Sequence, residues 1–507
     1  MFRTAELGQK ISKSEFRERE PLLRQDLLEV QQQLREAGRF PVIIVFAGVD
    51  GAGKGDTVNI LNEWMDPRWL HTTAYDDPSD EERERPEYWR FWRALPPKGR
   101  IGLFLSAWYS QPILDRVYEK SDDTTFNEQL DRILSFEKAL ADDGALILKF
   151  WMHLGHDAQE KRLKKLQKDP LTSWRVTQRD WDHWHIYDRF ETAAERTIMR
   201  TSTGTATWNI VEGMDPGYRS LTVGTIVRDE IRKHLQRTQQ QQQPTPPEPA
   251  APAVDTDAAE DKLPPLPVAT VLSGLDMSQH LNKADYKKQL KEWQAKLNLL
   301  HRKALKKKKS AILVFEGADA AGKGGAIRRI TAALDARHYQ VMPIAAPTDE
   351  ERAQHYLWRF WRHLSRAGRI TIFDRSWYGR VLVERIEGFA TEPEWRRAYA
   401  EINDYEEQLT DHGIVLLKYW IHITKEEQLE RFRLREQTPH KQWKLTEEDW
   451  RNREKWDDYE TAVNDIVEHT STHNSPWVLV EGNDKRYARI KVIQTFCERL
   501  EAALAEK

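Results

Sequence analysis

The chain has 507 residues, 39% of them hydrophobic and 31% charged, with a formal net charge of only −3. That length suits roughly two to four domains, and the near balance of charge excludes a chain built as a whole to wrap nucleic acid, so any polyanion must be met by local basic patches. A single cysteine, Cys497, excludes an internal disulfide or a cysteine-built zinc cluster and points to a reducing, cytoplasmic home.

In chain order, residues 1–39 are rich in charge and lack the apolar centre of a signal peptide. No apolar run anywhere approaches the roughly 18 residues that span a bilayer. The spacing of Leu22, Leu23, Leu27 and Leu28 predicts a helix over Lys13–Ala37 with one apolar face. The apolar run Pro41–Phe46, bounded by glycine and rich in β-branched residues, predicts a buried parallel strand. Further strands are expected over Ile101–Leu105, Ala145–Phe150 and Trp208–Val211, with helical stretches between them. A glutamine run, Gln239–Gln243, then opens a stretch rich in proline, alanine and acid that cannot bury a core and reads as a linker.

After the linker the pattern returns. Gly48 recurs as Gly317, an offset of 269, and the same offset relates Trp89 to Trp358, Trp108 to Trp377, Trp151 to Trp420 and Trp208 to Trp477. The halves are therefore duplicated domains, with boundaries expected at 1–238, a linker at 239–271 and a second domain at 272–507. The second copy repeats the helix over Lys283–Lys307 and strands over Ala311–Phe315, Ile370–Phe373, Ile414–Tyr419 and Trp477–Val480. Strands alternating with longer helical patterns imply an α/β fold with a parallel sheet, whose ligands bind at the carboxyl ends of the strands.

After its first strand each copy carries G-x-x-x-x-G-K, as Gly48–Gly55 with Asp50, Gly53 and Lys54, and as Gly317–Gly324 with Asp319, Gly322 and Lys323. Such a loop points backbone N–H groups and a helix N-terminus at phosphate oxygens, and its lysine adds a mobile cation. Gly55 and Gly324 stand where a Ser or Thr hydroxyl usually holds Mg²⁺, so an ion must rely more on carboxylates, for which Asp50 and Asp319 are candidates.

The next strand separates the copies. The second ends it with Asp374-Arg375, followed by Arg380. An aspartate there has the character of a carboxylate that holds Mg²⁺, Arg375 can neutralise a transferring phosphoryl group, and Arg380 can contact a phosphate. The first copy has Leu105, Ser106 and Gln111 at those places, which predicts a domain that keeps the fold, retains weak hold on a phosphate chain, and does not catalyse. Downstream, Arg431, Arg435 and Lys441 belong to a basic segment that reads either as a lid meeting successive phosphates or as a solvated helix face. Trp358–Arg362, repeated as Trp89–Arg93, reads either as a base-stacking element or as an interior helix.

Together the Gly-x-Asp-x-Ala-Gly-Lys-Gly loop, the Asp374–Arg380 block, the repeated Trp-Arg-Phe-Trp-Arg segment and the basic lid resemble the polyphosphate kinase type 2 family over nearly the whole chain, in its two-domain form with a degenerate first copy. The resemblance implies a P-loop kinase-like parallel sheet flanked by helices, with helical lids, duplicated in tandem. It implies transfer of the terminal phosphoryl group of inorganic polyphosphate to AMP, with Mg²⁺ required and GMP as an alternative acceptor. It matches Asp319, Lys323, Asp374 and Arg375 to the family's catalytic residues and places Arg431, Arg435 and Lys441 in its lid, as candidates for phosphate, beside the residue reading that gives Asp319 and Asp374 to the metal and Gly317, Gly322, Gly324 and Arg380 to phosphate. Neither nucleic acid nor membrane is an expected partner, and a homo-oligomer is left open. Two rivals share these motifs: an ATP-dependent nucleoside monophosphate kinase, and a binding protein without turnover.

Overall fold

The computed structural model describes residues 1–240, 270–439, 442 and 445–505. Most of the expected linker, and Lys441 of the lid, lie outside the described residues. The chain forms two compact units, one around each copy. The unit around the first copy takes in Asp349–His355, and the unit around the second takes in Ser79–Trp89.

The first unit holds strands β1 (Val42–Gly48), β2 (Leu70–Ala74), β3 (Ile101–Leu105), β4 (Leu146–His153) and β5 (Trp208–Glu212). They form one sheet in the order β2-β3-β1-β4-β5, and every pair is parallel. The second unit repeats this with β6 (Ala311–Gly317), β7 (Tyr339–Pro343), β8 (Ile370–Asp374), β9 (Val415–His422) and β10 (Trp477–Glu481), ordered β7-β8-β6-β9-β10 and again all parallel. Parallel strands need crossover connections, and here helices supply them and cover the faces. The central strands are buried on both sides. Val42, Ile44, Val45 and Phe46 in β1 and Leu313, Val314 and Phe315 in β6 are fully inaccessible, which accounts for their unbroken apolar runs.

The α/β expectation holds in both copies, with two local differences. The sequence carries no signal for the edge strands β2 and β7. Their residues, Leu-His-Thr-Thr-Ala and Tyr-Gln-Val-Met-Pro, make no apolar run because three of the five face solvent. The helix Lys13–Ala37 forms, but its buried stripe is Leu23, Leu27, Val30, Gln31 and Leu34, while Leu22 and Leu28 are exposed. A stripe at i, i+4, i+7/8 and i+11 leaves neighbours one residue away rotated by about 100°.

The tryptophan-arginine segment is structural. Trp358, Phe360 and Trp361 are buried, the Phe360 ring meets Trp377 edge-on at 5.6 Å, and Trp361 meets Tyr405 at 4.9 Å. Of its two readings, the interior helix is the one observed.

Candidate active site

The register of the sheet creates the site. Asp374, last residue of β8, lies beside Phe315 of β6, two residues before the P-loop begins at Gly317. Gly317 has φ +150°, and a Cβ there would stand 2.5 Å from the Ile421 carbonyl oxygen of β9. The loop thus passes where only glycine fits. Gly322, at φ +116°, caps the helix Lys323–Thr331, and no atom lies within 4 Å of where its side chain would be. The same openness holds at Gly324, so a hydroxyl residue would fit there and only its chemistry is missing.

The side chains converge as expected. Lys323 Nζ donates to the carbonyls of Gly317 (2.6 Å) and Ala318 (3.4 Å), folded over the loop that a phosphate would occupy. Asp319 Oδ1 accepts from Arg375 Nη2 at 3.3 Å, and its Oδ2 accepts from Asn452 Nδ2 at 2.8 Å. Arg375 adopts φ +66°, a left-handed conformation that is costly for a residue with a side chain. Its N–H donates to Phe315 O at 3.0 Å. The next residue, Ser376, donates from Oγ to buried Glu316 at 2.8 Å. These bonds hold the strained turn that aims Asp374 and Arg375 at the P-loop.

A cavity of about 730 Å³ opens there, lined by Asp319, Lys323, Asp374 and Arg375 together with Arg435 of the lid. Arg328, Lys485 and Arg489 line it as well, and the sequence motifs do not single them out. A contiguous apolar pocket, lined by Leu272, Leu382, Val383, Trp420, Trp456 and Tyr459, shares Asp319, Lys323 and Arg375 with it.

Two expected phosphate ligands sit differently. Arg431 lines the cavity, yet all five of its N–H groups are engaged. Nε donates to Glu427, Nη1 to the carbonyls of Ala320 and Ala321, and Nη2 to those of Gly482 and Asn483. It is a strut tying the P-loop to the segment after β10, and it leaves no donor for phosphate. Arg380 pairs with Glu384 at 3.1 Å, lies over the Tyr356 ring at 4.5 Å, and lines neither cavity.

Asp374 fits a metal-binding role. Among the described residues its carboxylate has no side-chain hydrogen bond or ion pair, although it faces the cavity. The described residues contain no cluster of three or more metal-ligating side chains. That donor set suits Mg²⁺, which takes one or two carboxylates and completes its shell with water and substrate phosphates. Burial pushes the Glu316 carboxyl up, although Lys323, the Ser376 hydrogen bond and Arg375 pull the other way.

In the first copy the turn survives without its chemistry. Ser106 keeps the left-handed φ, +52°, but Leu105 gives no carboxylate, and Ala47 and Ala107 replace Glu316 and Ser376. Asp50 is bonded to His183 Nδ1 at 2.6 Å. Burial raises its carboxyl, and the His183 bond with Lys54 and Arg179 more than reverses this, to about 2. The site residues that motif reasoning misses are all differences between the copies at the 269 offset: Glu316 against Ala47, Asn452 against His183, Arg328 against Asn59, Lys485 against Pro216, and Arg489 against Ser220.

The polyphosphate kinase 2 pattern matches residues 10–240 and again 280–507. The chain belongs to the polyphosphate kinase 2 family. Among its relatives, the polyphosphate:AMP phosphotransferase of Pseudomonas aeruginosa is 50% identical over 503 residues, 99% of each chain. That of Acinetobacter johnsonii is 37% identical over 484 residues, 94% of this chain and 95% of its own. A crystal structure assigned to polyphosphate kinase 2 from Pseudomonas aeruginosa PA01 superposes with a TM-score of 0.88 at 48% identity, covering 100% of both chains. This polyphosphate kinase 2 is thus of the duplicated kind along its whole length, and no described helix is long and apolar enough to cross a membrane.

Proposed function

We propose that the second copy transfers the terminal phosphoryl group of inorganic polyphosphate to AMP, giving ADP and a chain one phosphate shorter. The observation that carries this reading is the Asp374-Arg375 turn facing the P-loop lysine across a cation-lined cavity, a constellation the first copy lacks. The full-length relatives that are polyphosphate:AMP phosphotransferases support the substrates.

The donor chain lies along the groove of Lys323, Arg328, Arg435, Lys485 and Arg489, and the acceptor nucleoside enters the apolar pocket beside it. An AMP phosphate oxygen, already ionised near neutral pH, attacks the terminal phosphorus. The bond to the bridging oxygen breaks, and its electron pair stays with the shortened chain. No strong base is needed, so positioning and charge neutralisation supply the catalysis. Lys323 leaves its loop carbonyls for a donor oxygen, Arg375 neutralises the transferring group, and Asp319 holds Arg375 in place through the 3.3 Å contact. Asp374 and Asp319 would hold Mg²⁺, whose positive charge would offset that of the phosphates. Glycines 317, 322 and 324 shape the cradle, and Arg431 acts on phosphate only through the loop it braces. Residues 239–271 serve as the linker between the copies, and the cytoplasm is the working compartment.

The test is purified protein with Mg²⁺ and polyphosphate, incubated with AMP or GMP, with ATP replacing polyphosphate as donor in a parallel arm. ADP from AMP and polyphosphate is the expected product. Turnover with ATP alone would return the protein to the nucleoside monophosphate kinases, and no diphosphate from any mixture would leave it a binding protein.

A further inference from the structure

The phosphate cradle of the first copy is occupied by the protein's own charges. Asp56 stands third in the helix Lys54–Trp64, and arginines from three separate elements converge on its carboxylate. Arg162 Nη2 is 3.5 Å away, Arg175 Nη1 is 3.1 Å and Arg219 Nη2 is 3.7 Å. Buried Arg219 lies across Gly53, where a Cβ would meet Nη1 at 2.2 Å, and that nitrogen donates to Gly213 O at 2.8 Å. Lys54 folds onto the carbonyls of Gly48 (2.6 Å) and Val49 (3.1 Å).

The second copy folds Lys323 onto its loop in the same way but has neither the carboxylate nor the arginine across the loop. Gly325 replaces Asp56 and Ala488 replaces Arg219, and the space at Gly322 is open. A separate observation concerns the neighbouring pocket. His422 lines it in the second copy. Its counterpart His153 is instead covered by the first copy's own Phe2 ring, stacked at 4.4 Å, and its Nε2 meets Glu6 Oε1 at 2.8 Å.

We propose that Asp56 is the internal anion that excludes polyphosphate from the first copy, by neutralising Arg162, Arg175 and Arg219 and placing negative charge at the mouth of the P-loop. The retained lid cations therefore do not amount to a donor site, in contrast to the weak hold on phosphate expected from sequence. A dead cradle that bound the chain would compete with the second copy for donor, and Asp56 removes that competition. The inference rests on the first copy alone and stands whichever nucleotide the second copy accepts.

The experiment is calorimetric titration of the full-length protein with tripolyphosphate. Asp56→Gly and Asp56→Asn should each bind one more equivalent than wild type, with affinity at that site tightened by roughly tenfold or more on loss of the carboxylate. Adding Lys54→Ala should remove the extra equivalent. Asp56→Asn keeps the side chain's shape and decides the matter if the glycine variant unfolds the first copy, with a wild-type thermal unfolding profile reporting an intact first copy. Two results would overturn the proposal: a wild-type chain that already loses one equivalent on Lys54→Ala, or folded Asp56 variants that both bind no more than wild type.

Discussion

The two copies differ at the rim of the sheet and agree in its core. In the first copy, Glu137 accepts from Trp108 Nε1 at 3.0 Å, Tyr109 OH at 2.7 Å and buried Lys149 at 2.7 Å, and Lys149 also donates to Thr201 O. In the second, Glu406 accepts from Trp377 Nε1 at 3.0 Å, Tyr378 OH at 2.7 Å and Lys418 at 2.7 Å, and Lys418 also donates to Thr470 O. The Trp-Tyr pair that follows Asp374-Arg375 therefore belongs to a scaffold network, which explains why it persists where the Asp-Arg pair does not. Fold and chemistry rest on adjacent but separable residues, so one copy could lose the second and keep the first.

The largest effect should come from that separation. Asp374→Ala or Arg375→Ala should each lower kcat by about 10³-fold, the scale of losing a preorganised charge stabiliser, with thermal unfolding nearly unchanged. The reciprocal transplant, Leu105→Asp with Ser106→Arg, should give no turnover when the second copy is silenced by Asp374→Ala. The first copy still has Ala47 and Ala107 in place of the Glu316–Ser376 brace. Activity in that chimera would show that the brace is dispensable and would break the contrast drawn between the copies.

The shared network gives the largest effect on stability. Glu406→Gln strands Lys418, whose side chain is wholly buried and whose pKa burial already lowers against the pull of Glu406. Breaking a buried pair from one side costs about 3–5 kcal/mol. Glu137→Gln should cost a similar amount in the first copy, where the same Trp, Tyr and Lys meet the carboxylate, although Glu406 alone also accepts from Ser475 Oγ at 2.9 Å. Urea denaturation of both variants measures this, and a loss in one copy with none in the other would mean that the copies do not share one scaffold.

Part of the contrast between the copies is legible in the amino-acid sequence. The P-loops, the Asp374-Arg375 block and the eight strands other than β2 and β7 have local signatures: glycines at fixed spacing, or apolar runs. The edge strands β2 and β7 have none, since they are mostly solvent-facing. Arg328, Lys485 and Arg489 lie on two helices far apart in sequence, and only the fold brings them to one cavity. Arg431 shows the opposite failure. Its place in a basic segment marks it as a phosphate ligand, while tertiary structure surrounds it with carbonyl oxygens. Composition reports that a cation is present, and packing decides what it bonds.

A smaller effect concerns Glu316. Glu316→Gln keeps an acceptor for Ser376 and removes a buried charge, so turnover should fall by only about tenfold. Because its folded pKa is raised above 4.5, the ionised carboxylate is less favourable in the folded chain than in the unfolded one. That penalty is absent at low pH, where the carboxyl is protonated in both states, and grows as pH rises from the unfolded value through the folded one. The variant should therefore unfold at a higher temperature than wild type under alkaline conditions in the presence of a chelator, with the gap closing as the pH is lowered. A gap that widens on acidification would reverse the assigned direction.

The smallest effect compares the P-loops themselves. Ala320 holds φ +66°, where its counterpart Gly51 holds +79°. A side chain in this region costs about 1–2 kcal/mol, partly offset because alanine loses less backbone entropy on folding than glycine, by roughly 0.4–1 kcal/mol. Ala320→Gly should thus stabilise the second copy slightly, and Gly51→Ala should destabilise the first by a similar amount. Arg431 grips the carbonyls of Ala320 and Ala321, whereas its counterpart Arg162 reaches toward Asp56 instead. The strained conformation is thus over-determined only in the copy proposed to catalyse. It follows that Arg431→Lys should cost more turnover in the wild-type chain than in the Ala320→Gly background, because glycine adopts the loop conformation without the brace. Equal losses in the two backgrounds would show that Arg431 holds the P-loop for some purpose other than maintaining that turn.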